Sequence, residues 1–70
     1  MIRQPVSSSN IKSVGYDPDS TLLEIEFHDG SIYQYSKVPQ SVHTALIAAA
    51  SLGSFLHKNI RGKYPYQKVR

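Results

Sequence analysis

The segment from Lys58 to Tyr66 interleaves basic and aromatic side chains and contains no acidic residue. Cations attract the phosphates of a nucleic-acid backbone, and aromatic rings stack on unpaired bases. The segment therefore favours a binding surface for RNA or single-stranded DNA, formed by Lys58, Arg61, Lys63, Tyr64 and Tyr66. The structural alternative is a solvated helix end, at which Lys58 and Arg61 offset the helix dipole and Tyr64 packs on a sheet.

Two further tyrosines, Tyr33 and Tyr35, are separated by one residue and so share one face of any strand that contains them. They could stack on bases, or they could fill the core with their phenol groups at its rim. Both roles stay open here, and the register of the surrounding strands decides between them.

Charge is unevenly distributed along the chain. Residues 1–35 hold two bases and five acids, a net charge of −3. Residues 36–70 hold six bases and no acid, a net charge of +6, so the total is +3. If the two halves occupy different faces, the basic face suits phosphates. Two alternatives are a homodimer, in which the acidic half of one copy meets the basic half of another, and a charge that serves solubility alone.

Patterns for catalysis and metal binding are absent from the sequence. Without cysteine there is no disulfide, no thiolate zinc site and no thiol nucleophile. None of His28, His43 and His57 lies four residues from another histidine, as a helical zinc site would need. Neither a nucleophile elbow nor a phosphate-binding loop occurs. We predict no enzyme, no metal and no cofactor, although a triad of distant Ser, His and Asp side chains stays open.

The length of 70 residues suits one small domain. We expect this domain to span residues 9–66, between a flexible arm at 1–8 and a flexible tail at 67–70. No apolar run approaches the roughly 20 residues of a membrane helix, and the first residues do not resemble a signal peptide. The sequence therefore predicts a cytoplasmic protein that does not bind membranes.

The middle of the chain has the alternation typical of antiparallel strands. Residues 10–16 favour a strand, and residues 22–27 alternate apolar side chains with Glu24 and Glu26. Asp29 and Gly30 then favour a hairpin turn, with a return strand over residues 31–36.

Two hairpin registers are possible. A two-residue loop at Asp29 and Gly30 places both tyrosines opposite the glutamates. A three-residue loop at 28–30 instead pairs Phe27 with Ser31. We favour the second register, because it collects five large side chains on one face: Leu23, Ile25, Phe27, Tyr33 and Tyr35. It leaves the two glutamates outside and places Ile32 on the opposite face.

Two helices should follow the strands. Pro39 suits a helix start, and an apolar stripe then recurs at Val42, Leu46, Ala49 and Ala50. A second short helix is predicted from a cap at Ser54 to Ile60, and residues 63–66 have the character of an edge strand. The predicted fold is α+β: a three- to four-stranded antiparallel meander covered by one Ala-rich helix plus a short second helix.

Several short motifs occur in an order that resembles the KTSC domain family, named for its occurrence at the C-terminus of some lysyl-tRNA synthetases. The motifs are Ser8-Ser9-Asn10-Ile11, Val14-Gly15-Tyr16-Asp17, Leu23-x-Ile25-x-Phe27, Gly30-x-x-Tyr33-x-Tyr35, Val38-Pro39, Ala50-Ser51-x-Gly53-x-Phe55, Asn59-Ile60-Arg61 and Tyr64. They cover residues 8–66, nearly the whole chain, and the chain resembles the stand-alone bacterial and phage members. The resemblance implies RNA binding, because of the family's place on a synthetase.

Three functions remain as hypotheses. The first is a module that binds RNA or single strands through the basic and aromatic C-terminal residues. The second is a protein-interaction or assembly module of phage or mobile-element origin. It would act by edge-strand pairing or through Leu22, Ile32 and Ile47. The third is a fold without independent activity, and we favour the first.

Overall fold

Five antiparallel strands follow one another across a single sheet, in chain order. The computed structural model describes all residues from Met1 to Arg70. Its elements are β1 (Arg3–Pro5), β2 (Ile11–Asp17), β3 (Leu22–Phe27), β4 (Ile32–Tyr35), α1 (Gln40–Ala48), α2 (Leu52–Asn59) and β5 (Tyr66–Lys68). The predicted α+β class is confirmed, but the sheet has five strands instead of three or four.

The strands that the sequence did not fully predict, β1 and β5, lie at the two ends of the chain. Arg3–Pro5 was expected in a flexible arm, yet it pairs with β2. Strand β5 pairs with β4 and extends over residues 67 and 68, which were expected in a flexible tail. Each of these strands has only three residues and one neighbour, so it carries no alternation that a sequence pattern could reveal.

The three-residue hairpin loop is confirmed. The Phe27 amide donates to the carbonyl of Ser31 at 2.9 Å, and the strands continue with Ile25 opposite Tyr33 and Leu23 opposite Tyr35. Cross-strand partners share one face of a sheet. Both tyrosines therefore lie on the apolar face of β3, as the preferred register required.

The helices cover this apolar face with only the first half of the predicted stripe, because α1 ends before Ala49 and Ala50. Leu46 of α1 and Leu56 of α2 are buried against the sheet, and Val42 packs beside them. Ala45 and Ala48 point to solvent, and α1 ends at Ala48 because the next residue is extended. The cover is thus formed by large side chains at helical spacing, and the alanines mainly favour the helix itself.

The second helix begins three residues earlier than predicted. Ser51, and not Ser54, is the capping residue: its hydroxyl accepts from the Ser54 amide at 3.3 Å. This places Gly53 in the first turn, where an added Cβ would lie 2.6 Å from the Asn10 Oδ1 atom. Glycine therefore lets α2 approach the segment before β2 closely, which gives a physical reason for two of the sequence motifs.

The other face of the sheet carries no helix. The prediction that Glu24 and Glu26 are exposed on this face is nevertheless wrong. Glu24 is only 9% exposed and accepts hydrogen bonds from Arg3 and from Gln34, the latter at 2.8 Å. Arg3 reaches Glu24 across Gly15, where a Cβ would lie 2.9 Å from the Arg3 Cγ atom. Burial raises the pKa of Glu24, but these hydrogen bonds outweigh it and hold the pKa below its usual value.

Glu26 is enclosed in the same way. It accepts from the Ser13 hydroxyl at 2.8 Å and from the Arg70 guanidinium at 3.2 Å. The hydrogen bond from Ser13 lowers the pKa of Glu26, with the positive charges of nearby bases acting in the same direction. Ile32 lies on this face too, opposite Glu26, and is 5% exposed. The two termini therefore close this face, with arginines from opposite ends of the chain.

Candidate nucleic-acid interface

The helices leave part of the apolar face uncovered near β5, where a groove of about 570 Å³ opens. Its lining includes four aromatic side chains from the sheet and two nitrogen-bearing side chains, one from the last turn of α2 and one from the turn that follows it: Phe27, Tyr33, Tyr35, Tyr66, His57 and Arg61. We call this site the aromatic groove.

The rings of the aromatic groove contact one another in a continuous chain. Phe27 and Tyr33 meet edge to face at 5.7 Å, and Tyr66 lies 5.8 Å from both Tyr33 and Tyr35. Tyr35 is buried, and burial raises the pKa of its phenol. Tyr66 is 62% exposed, so its ring is the one most available to a ligand.

The bases near the groove are free of ion pairs. All three salt bridges of the protein lie on the other face of the sheet, and they involve Arg3 and Arg70 as the bases. Arg61 is exposed, forms no salt bridge and lines the groove beside the tyrosines. Lys68 pairs across the strands with Tyr33 and therefore lies on the groove side of the sheet.

The structure brings together only part of the predicted binding segment. Arg61 and Tyr66 line the aromatic groove together with Tyr33 and Tyr35. Lys58 and Lys63 are exposed but do not line it, and Tyr64 packs against the core in the structural role given above as its alternative. Within the predicted segment, Arg61 and Tyr66 thus line the groove, Lys58 and Lys63 are solvent-exposed, and Tyr64 packs against the core.

Four of the eight groove residues were not predicted as site residues: Phe27, Ser31, His57 and Gly62. The sequence contains a signal for Phe27 and for His57. Phe27 follows Ile25 by two residues, so the alternation of β3 places it on the face of Tyr33. His57 lies in the last turn of α2, and Arg61 follows shortly after the end of that helix. A search for aromatic residues on the face of β3 and for nitrogen-bearing side chains around the end of the second helix would have found both.

Ser31 and His57 both line the groove, which raises the question of nucleophilic chemistry. The Ser31 hydroxyl donates to the Asp29 carboxylate at 2.6 Å, and no hydrogen bond joins it to His57. A serine nucleophile needs a base within hydrogen-bond reach, so this arrangement does not form a triad. No group of three or more His, Asp or Glu side chains is placed to hold a metal ion, and neither helix is long and apolar enough to cross a membrane.

Comparison with known proteins places the chain in a family. The KTSC domain family profile matches residues 7–64. The structure is similar to the crystal structure of a KTSC domain protein from Yersinia pestis, with 47% identity and a TM-score of 0.93 over 99% of this chain and 97% of that one. An uncharacterized protein of Stutzerimonas stutzeri is 39% identical over 99% of both chains.

A lysine–tRNA ligase of Nostoc sp. is also similar, with 43% identity over 61 residues. That match covers 87% of this chain and 11% of the ligase, so the chain spans about a tenth of the ligase's length. The resemblance noted in the sequence is therefore confirmed over almost the whole chain. This protein belongs to the KTSC domain family.

Proposed function

We propose that this KTSC domain binds single-stranded RNA or DNA in the aromatic groove. One observation carries the proposal: the exposed ring of Tyr66 and the unpaired guanidinium of Arg61 line the same groove. A ring that accepts a base beside a cation that accepts a phosphate is the arrangement that single-stranded nucleic acid requires.

The distribution of ion pairs supports the proposal. Of eight bases, two form salt bridges, and of five acids, two do so. This leaves 8 − 2 = 6 bases and 5 − 2 = 3 acids outside salt bridges. Four of those six bases lie between residues 58 and 68, a range with no acid. The positive charge that can attract a polyanion is therefore concentrated at the C-terminal side.

The relatives favour RNA over DNA as the ligand. Segments 41–43% identical to this chain occur within lysine–tRNA ligases, whose name assigns them a tRNA substrate. A small domain within a protein that acts on tRNA is well placed to contact RNA. This support is by association and adds to the chemistry of the groove, which accepts either nucleic acid.

The protein-interaction hypothesis has less support. Of its three apolar positions, Ile32 is buried, Leu22 is half-buried and only Ile47 is largely exposed. Glu24 and Glu26 are paired within the chain, so two of the five acids expected to meet a second copy are already neutralised. The relatives named above are bacterial proteins, and a phage origin gains no support from them.

Fluorescence anisotropy with a labelled single-stranded RNA tests the proposal. We expect the double variant Arg61→Glu, Tyr66→Ala to lose at least about tenfold in affinity, because it removes a phosphate contact and a stacking ring. Lys58→Glu is the matched control for charge, and Gln67→Ala is the control for β5, since Gln67 lies opposite Gln34 on the other face.

Both controls should stay within about threefold of the parent protein. An unchanged affinity in the double variant would refute the proposal, and so would an equal loss in both controls. Binding that does not weaken between low and moderate salt would also refute it, because phosphate contacts release counterions.

A further inference from the structure

The stacking capacity of the aromatic groove is small. A base held between two rings needs them parallel and roughly 7 Å apart, twice the 3.4 Å spacing along a stacked strand. Here the neighbouring rings are 5.7–5.8 Å apart, and they are inclined by 38°, 41° and 88°. No slot for a base exists between them. The ring of Tyr66 is therefore the most available stacking surface of the groove, because Tyr35 is 3% exposed and Phe27 and Tyr33 are half-buried.

The phosphate capacity of the groove is equally limited. Arg61 is the one arginine or lysine in its lining, and Lys68 lies on the same side of the sheet at the outer strand. Lys58 and Lys63 are exposed outside the lining. A continuous strand bound along its backbone needs a row of cations, and the groove provides one or two.

We infer that the aromatic groove is a site for a single unpaired nucleotide, with the base on Tyr66 and the phosphate on Arg61. This inference rests on the proposed function and narrows its ligand from a nucleic-acid tract to one nucleotide. The same chemistry is offered by a free mononucleotide and by an unpaired nucleotide within a chain, such as a strand end or a bulge. The volume of about 570 Å³ lies within the usual range of small-molecule sites.

Calorimetric titration with a length series tests the inference: adenosine monophosphate and oligoadenylates of two, four and eight nucleotides. We divide each association constant by the number of nucleotides in the oligomer. This quotient should stay within about threefold from the dinucleotide to the octamer, because added nucleotides find no further site. The logarithm of the binding constant should fall against the logarithm of salt with a slope of about −0.7 to −1.4, for one or two phosphates.

The two sources of the nucleotide separate within this series. Equal affinity for the monophosphate and the dinucleotide supports a free nucleotide, and weaker binding of the monophosphate supports a nucleotide within a chain. The single-nucleotide site would be overturned if the association constant divided by oligomer length were more than about tenfold higher for the octamer than for the dinucleotide, with a salt slope of about −2.8 or steeper. That result would leave the proposed nucleic-acid binding intact. Absence of binding at every length would instead refute the proposed function and the site together.

A set of neutral variants locates the phosphate contact. Arg61→Gln should reduce the salt slope by about 0.7, the value of one phosphate contact on a single strand. Lys58→Gln and Lys63→Gln are matched controls that remove one charge each outside the groove, and they should leave the slope unchanged. Equal reductions in all three variants would show diffuse attraction to the basic end of the molecule and would overturn the localised site.

Discussion

The two faces of the sheet use charge in opposite ways. On one face, Glu24 and Glu26 are almost fully buried, and Arg3 and Arg70 neutralise them from the two ends of the chain. On the groove face, Arg61 lies beside exposed and half-buried rings and has no acidic partner. The comparison teaches that the formal charge of a segment does not reveal which of its charges can reach a ligand.

The two arrangements also serve different ends. Paired and hydrogen-bonded charges stabilise the fold and have little capacity left for a ligand. An unpaired exposed base contributes little to folding and is free to bind a phosphate. Substitutions on the closed face should therefore change stability, and substitutions in the groove should change binding.

The largest effect is expected from Leu46→Ala, which removes a fully buried side chain between α1 and the sheet. We expect the free energy of unfolding in urea to fall by about 2–5 kcal/mol, because a large cavity forms in the core. Ile47→Ala is the control, since its side chain is 45% exposed on the same helix, and it should change stability by less than about 1 kcal/mol. Equal losses in the two variants would contradict the packing described for α1.

A smaller loss is expected from Arg3→Met, which leaves Glu24 with only the hydrogen bond from Gln34. The free energy of unfolding should fall by about 1.5–3 kcal/mol, the usual value for a hydrogen bond to a charged group. Arg61→Met makes the same change on the groove face, where no salt bridge is lost. If Arg61→Met destabilises the protein as much as Arg3→Met, the contrast between the faces is wrong.

Acid should weaken the closed face. The pKa values of Glu24 and Glu26 are lowered in the folded protein from a usual value of 4.5. A lowered folded-state pKa adds stability that is complete above the usual pKa and is lost as the pH falls through the folded value. The urea midpoint should therefore decrease below about pH 4.5, and it should decrease less steeply in Arg3→Met. A pH dependence that is identical in the two proteins would contradict the pairing.

The smallest effect is expected from Tyr66→Phe. The Tyr66 hydroxyl makes no hydrogen bond within the chain, so the free energy of thermal unfolding should change by less than about 0.5 kcal/mol. RNA binding should be retained, because the ring is still present. Tyr16→Phe is the control, because the Tyr16 hydroxyl donates to the carbonyl of Val38. That variant should lose about 1 kcal/mol. A strong loss of binding in Tyr66→Phe would show that the hydroxyl, and not the ring, recognises the ligand.

Local patterns predicted the central hairpin and its register. The alternation of β3 and the position of Gly30 require Phe27 to pair with Ser31 if all large side chains are to share one face. The terminal strands could not be predicted in this way, since each has three residues on an edge. Their pairing depends on contacts between distant parts of the chain, which no local pattern contains.

The same limit applies to the candidate site. Arg61 and Tyr66 were predicted from composition, and the structure places them in one groove. The burial of Glu24 could not be foreseen, because its partner Arg3 is 21 residues away. Tyr64 has the same local features as Tyr66, and only its packing against the core makes it half-buried while Tyr66 is exposed.

The central claim is tested most directly by the amide chemical shifts of the labelled protein during titration with a short single-stranded RNA. We predict shifts in the aromatic groove, at Tyr33, Arg61 and Tyr66, and unchanged signals at Glu24 and Glu26 on the closed face. Shifts confined to the closed face, or no shifts at saturating RNA, would contradict the account.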